Sequence, residues 1–147
     1  MGATIIGVNH SIDMPYLGFT HLQTDLACMI SQEFGRAYAR YVRVVPEQEA
    51  EQLHDDLERM AEQFVKGHGK ASVMVIDFLF SEDTEGKLTP EGCKEVRKVI
   101  EERPSALETF SNTVYGYPAW DHPATGGDFL NILSECEKAN CSMSWIY

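Results

Sequence analysis

Amphipathic helix patterns alternate with short apolar runs along this 147-residue chain, and the alternation constrains the fold more than any other feature. Apolar residues recur at helical spacing over residues 22–38, 47–67, 90–103 and 126–136. Runs typical of strands lie around them, at residues 3–8, 41–45, 71–80 and 142–147. This order predicts a single α/β domain, residues 1–147, with about four mostly parallel or mixed strands flanked by four helices. An α+β fold with antiparallel pairing is the alternative.

The run from Ala71 to Phe80 is the strongest strand pattern, because it is rich in β-branched and aromatic residues. We expect it to be the central strand. If it ends near Ile76, Asp77 lies at the carboxyl end of the strand and is the best single candidate for an acid or base. If it continues to Phe80, a basic residue from the following helix can pair with Asp77 instead.

The composition indicates an intracellular protein without a membrane span. The four cysteines, at positions 28, 93, 136 and 141, occur without an export signal and are expected to be thiols in the cytoplasm. The longest apolar runs are far shorter than the roughly 20 residues of a membrane helix. At 147 residues the chain is long enough to form a core without cross-links.

The charge disfavours nucleic acid as a partner. The chain has 23 acidic and 12 basic residues and a formal net charge of −11, which repels phosphate backbones. Seven carboxylates crowd residues 47–62, with Arg59 as the one basic residue among them: Glu47, Glu49, Glu51, Asp55, Asp56, Glu58 and Glu62. This stretch is either a solvated helix face or a docking surface for a basic protein partner.

Polar side chains follow the first strand directly. Asn9, His10 and Asp13 open a connection that spans residues 9–21, and ligands bind beyond the carboxyl ends of parallel strands. Long connections in compact domains are often functional. We therefore expect these three residues to bind a ligand; the alternative is that His10 and Asp13 only hydrogen-bond the loop backbone.

A second polar and aromatic segment, residues 113–125, contains four further candidate ligand-binding residues: Tyr117, Trp120, Asp121 and His122. The alternative is that its aromatic rings cover an open edge of the sheet. If both segments form one site, His10 and His122 should lie within roughly 10 Å of each other.

The sequence thus predicts a small acidic binding or regulatory protein that engages a protein partner or small molecule through residues 9–21 and 113–125. A metal-assisted hydrolase is the alternative, since imidazoles and carboxylates from His10, Asp13, His21 and either Asp121 or His122 would suit zinc. Their spacing matches no compact metal motif, so the sequence assigns no catalytic residue, metal ligand or cofactor.

Overall fold

The structure is a computed structural model and describes residues 3–14, 18–42, 46–68, 70–81, 85–102 and 126–146. These residues form four strands and six helices. In chain order they are β1 (Thr4–Ile6), β2 (Ser11–Asp13), α1 (Gly18–Ile30), α2 (Gln32–Tyr41), α3 (Glu47–His68), α4 (Lys70–Leu79), β3 (Glu85–Leu88), α5 (Pro90–Glu101), α6 (Gly126–Ala139) and β4 (Met143–Ile146).

The strands form one sheet in the order β2-β1-β4-β3, and all three pairings are antiparallel. The combination of helices and sheet is confirmed, but the prediction of a mostly parallel or mixed sheet is wrong. Its pairing is the kind that the α+β alternative expected. For the β1–β2 pair the reason is local: residues 7–10 connect the two strands in a tight turn, closed by a 2.8 Å hydrogen bond from the Gly7 amide to the His10 carbonyl. So short a connection joins only antiparallel strands.

One face of the sheet packs against the helices through a row of buried residues. Ile12, Ile5 and Trp145 are opposite one another in the register and are at most 8% exposed. Gly86 continues the row, and a Cβ atom there would lie 2.2 Å from the Trp145 ring, so only glycine fits beneath the indole. Phe19 of α1 contacts the same indole at a ring-centroid distance of 5.2 Å, which joins sheet and helices in one core.

The predicted central strand at residues 71–80 is wrong, because this stretch lies almost entirely in α4. Val75 and Ile76 are buried and so are Phe78 and Leu79, whereas Asp77 is exposed. Buried and exposed positions therefore do not alternate as they would in a strand, but follow the spacing of a helix. The strand propensity of these residues is overridden by tertiary packing, because a helix here buries the apolar side chains in the core. Asp77 is thus an exposed helix residue and does not lie at the end of a strand.

The first predicted helix is two helices, and together with α4, which replaces a predicted strand, this raises the number from the four predicted to six among the described residues. Ser31 separates α1 from α2, and its hydroxyl accepts a hydrogen bond from the Phe34 amide as the N-cap of α2. A Cβ atom at Gly35 would lie 2.4 Å from the Cys28 sulfur, so the glycine permits α2 to fold back closely on α1. Tyr41 and Val42, predicted to begin a strand, are the last residue and C-cap of α2; residues 43–45 lie outside the described residues.

The remaining predicted elements are confirmed. α3 covers the acidic stretch, α5 begins behind the N-cap Thr89 and Pro90, and α6 and β4 occupy the predicted C-terminal positions. In the described part of the chain, no helix combines the length and apolar character needed to cross a membrane.

Candidate functional sites

The polar residues after the first strand lie in and beside the β1–β2 turn. Asn9 and His10 are exposed in the turn itself, and Asp13 is exposed at the end of β2. The Thr4 hydroxyl on β1 donates a 2.7 Å hydrogen bond to Asp13 Oδ1, directly across the strand pair. Asp13 therefore links the two strands, and the predicted long connection is partly a hairpin.

His10 is paired with a residue that the sequence did not indicate. Its Nδ1 lies 2.8 Å from Oε1 of Glu135 on α6, and the His10 side chain remains 62% exposed. The helix approaches the turn closely, since a Cβ atom at Gly7 would lie 2.9 Å from the Ile132 side chain, one helical turn before Glu135. The two residues are 125 positions apart, and no motif or periodicity connects them.

This His10–Glu135 pair has a defined chemical character. A carboxylate that holds one ring nitrogen orients the imidazole and selects its tautomer. The second carboxylate oxygen of Glu135, Oε2, is buried and has no hydrogen-bond partner among the described residues. The pair thus positions an exposed imidazole at the tip of the hairpin.

The other residues of the predicted metal site are not gathered around His10. His21 lies half-buried on α1, where burial lowers the pKa of its imidazole despite the opposing effect of Asp25. Within the described residues, neither His10, Asp13 nor His21 belongs to a group of three metal-ligating side chains.

The aromatic candidates Tyr117, Trp120, Asp121 and His122 lie outside the described residues, as does the whole of segment 113–125. The expected proximity of His10 and His122 therefore stays a prediction.

The cysteines offer no reactive thiolate in the core. Cys28, Cys93 and Cys136 are buried and Cys141 is exposed, and none of the four is in a disulfide bond. Burial, assisted by the neighbouring Cys136, raises the pKa of Cys93 to about 12, and burial also raises the pKa of Cys136. Both thiols stay protonated at neutral pH, and a protonated thiol is a poor nucleophile.

The acidic stretch forms a continuous surface on α3. Five carboxylates follow one another at intervals of three or four residues, so they lie along one side of the helix, and all are exposed. We call them the acidic stripe: Glu47, Glu51, Asp55, Glu58 and Glu62. The opposite side of α3 carries Leu53, Leu57 and Ala61, which are buried.

Acidic residues of α3 outside the stripe form ion pairs with arginines, whereas those of the stripe form none with the lysines and arginines that the structure describes. Glu49 accepts a hydrogen bond from Arg40 at 2.9 Å, and Asp56 pairs with Arg59. In the described ranges, no lysine or arginine forms an ion pair with a stripe residue, and the nearest group of opposite character is His54, 3.7 Å from Glu58. The stripe therefore presents unbalanced negative charge.

An open cavity of about 470 Å³ adjoins the N-terminal half of the stripe. It lies where the end of α2 meets α3. Its walls combine an aromatic ring with carboxylates and an imidazole: Tyr41, Glu47, Ala50, Glu51, His54 and Asp55.

Comparison with known proteins adds no functional information: no family model, no curated protein and no solved structure matches the chain.

Proposed function

We propose that this chain is a small acidic binding or regulatory protein that engages a basic protein partner through the acidic stripe. The observation that carries the proposal is that five carboxylates on one helix face have no basic partner among the described residues, next to a cavity that three of them line. Charge complementarity of this kind accelerates association and selects partners.

The stripe is unfavourable for α3 in isolation, which supports a role outside folding. Each like-charged pair at a spacing of three or four residues destabilises a helix by about 0.2–0.5 kcal/mol. The stripe contains four such pairs in succession, from Glu47 to Glu62. Cationic groups of a partner would relieve this repulsion on binding.

The cavity has the chemistry to accept a lysine or arginine side chain. Its carboxylates, from Glu47, Glu51 and Asp55, suit the charged end of such a side chain. Tyr41 adds an aromatic ring, and a cation near the face of a tyrosine gains about 0.5–1 kcal/mol at exposed sites. A basic residue anchored here would give the partner a fixed position along the stripe.

The hairpin tip is proposed as a second contact. Asn9 and His10 are exposed there, and we keep the proposal that they bind a ligand together with segment 113–125. Nothing in the described residues brings His10, Asp13 and His21 together, so the binding role is preferred to the metal-assisted hydrolase.

The test is association with a synthetic arginine-rich helical peptide, followed over a series of salt concentrations. The variant Glu51→Gln, Asp55→Asn, Glu58→Gln changes the net charge from −11 to −8 (−11 + 3). We expect slower association and a weaker salt dependence, since exposed charges act mainly on the association rate.

A matched control separates the stripe from overall charge. Glu33→Gln, Glu85→Gln, Glu102→Gln makes the same change in net charge at exposed carboxylates outside α3. Equal slowing in both triple variants would show that the peptide responds to net charge alone and would contradict the proposed docking surface.

A further inference from the structure

His54 is held in place by aromatic neighbours at the centre of α3. Its ring centroid lies 5.7 Å from that of Tyr41 and 5.9 Å from that of Phe80, and the residue is half-buried. Contacts with two rings restrict the rotamers of the imidazole. Its Nε2 is directed towards the stripe, 3.7 Å from Oε1 of Glu58.

Three donor groups converge at this point. A ring nitrogen of His54 and one carboxylate oxygen each from Asp55 and Glu58 all lie within 4.8 Å of one another. Donors held about 2.0–2.1 Å from a tetrahedral ion lie about 3.4 Å apart, so small side-chain rotations would bring all three onto one ion. Glu58 follows Asp55 by three residues and His54 by four, so it is a neighbour of both on the helix surface.

The surroundings favour a cation over any other ligand. Glu51 and Glu62 flank the cluster within the acidic stripe, and no lysine or arginine of the described ranges pairs with Asp55 or Glu58. The open cavity beside His54 and Asp55 leaves room for water to complete the coordination.

We propose that His54, Asp55 and Glu58 form a binding site for a divalent transition metal ion, with Zn²⁺ as the best match. Zn²⁺ binds imidazole nitrogen together with carboxylate oxygen and accepts three protein ligands plus water. Mg²⁺ and Ca²⁺ prefer oxygen ligands alone and gain little from an imidazole. The inference does not require partner binding, although both would use Asp55 and Glu58.

The test is a titration of the purified protein with Zn²⁺ in competition with a chromophoric chelator, repeated with Mg²⁺. His54→Phe removes the nitrogen donor but keeps a ring packed against Tyr41 and Phe80, so the aromatic contacts are retained. We expect this variant and Glu58→Gln each to weaken Zn²⁺ binding by about tenfold or more. Glu51→Gln, a stripe residue outside the donor set, should weaken it much less.

Nuclear magnetic resonance provides a second measurement that does not depend on variants. The chain has five histidines, and on addition of Zn²⁺ the ring resonances of His54 should shift before those of the other four. Unchanged Zn²⁺ affinity in His54→Phe, an equal effect of Glu51→Gln, or Mg²⁺ binding as tight as Zn²⁺ binding would overturn the metal site. Glu47→Gln, Glu62→Gln changes the acidic stripe but none of the three donors. It should slow association with the arginine-rich peptide and leave Zn²⁺ affinity nearly unchanged, which separates failure of the metal site from failure of partner docking.

Discussion

The β1–β2 hairpin and helix α3 both concentrate polar side chains, but they differ in how those side chains are satisfied. In the hairpin, Asp13 accepts a hydrogen bond from Thr4, and His10 pairs with Glu135 of α6. On α3 the acidic stripe has no basic partner in the described part of the chain. Polar groups with internal partners contribute to the fold, whereas a row of like charges opposes it. Cations from outside the chain would relieve that repulsion, which is why we propose α3 as the docking surface.

The largest expected effect comes from the buried side of α3, which holds the stripe in place. Leu57 is fully buried, and Leu57→Ala should lower the free energy of unfolding by about 2–5 kcal/mol through lost contacts and the cavity that remains. Denaturant titration measures this change. Gln63→Ala, at an exposed position of the same helix, should stay within about 0.5 kcal/mol of the original protein. Similar small losses in both variants would show that α3 is not anchored by this face.

Neutralising the stripe should stabilise the protein, whereas Leu57→Ala should destabilise it. Glu51→Gln, Asp55→Asn, Glu58→Gln removes all four like-charged pairs of the stripe and should raise the free energy of unfolding by about 1–2 kcal/mol at low salt. The gain should shrink at high salt, where exposed charges are screened. A loss of stability at low salt would mean that these carboxylates have stabilising partners, and the contrast with the hairpin would disappear.

The His10–Glu135 pair should contribute a smaller amount to the free energy of unfolding, and this contribution should be stabilising. Because His10 is mostly exposed, its interaction with Glu135 is expected to contribute about 1 kcal/mol or less. A double-mutant cycle of His10→Ala and Glu135→Gln isolates this coupling from other effects of each substitution. A coupling of zero would place the His10–Glu135 pair among surface contacts without influence on the fold.

The smallest effect concerns the pH dependence that the half-buried imidazole of His21 gives to stability. Burial lowers the pKa of His21 in the folded protein, so below about pH 6.5 the unfolded chain takes up a proton that the folded chain does not. The free energy of unfolding therefore does not depend on the protonation of His21 above that pH, and it decreases as the pH falls below it. Thermal unfolding between pH 7 and pH 5 should therefore show a weaker pH dependence in His21→Gln than in the original protein. An identical slope in His21→Gln and the original protein would contradict the role of burial.

Local patterns in the sequence were sufficient for elements whose periodicity and caps agree. The periodic apolar residues of α3 and α6 and the Thr89-Pro90 start of α5 define helices without help from distant residues. For residues 71–80 the sequence predicts a strand where the structure has a helix. Apolar residues occupy nearly every position there, and such a run is compatible with a strand and with a buried helix. Packing against the core resolved that ambiguity.

The sequence by itself determined the unequal distribution of charge, the acidic stripe and the amphipathic helices, since each depends on residues a few positions apart. Only the tertiary structure decided that β4 pairs antiparallel with both β1 and β3, that His10 is paired with Glu135, and that the imidazole of His54 packs against the rings of Tyr41 and Phe80. These contacts join residues up to 125 positions apart, and their formation depends on how helices and sheet share one core. Side-chain periodicity records which face of an element is buried, but it does not record which distant element covers that face.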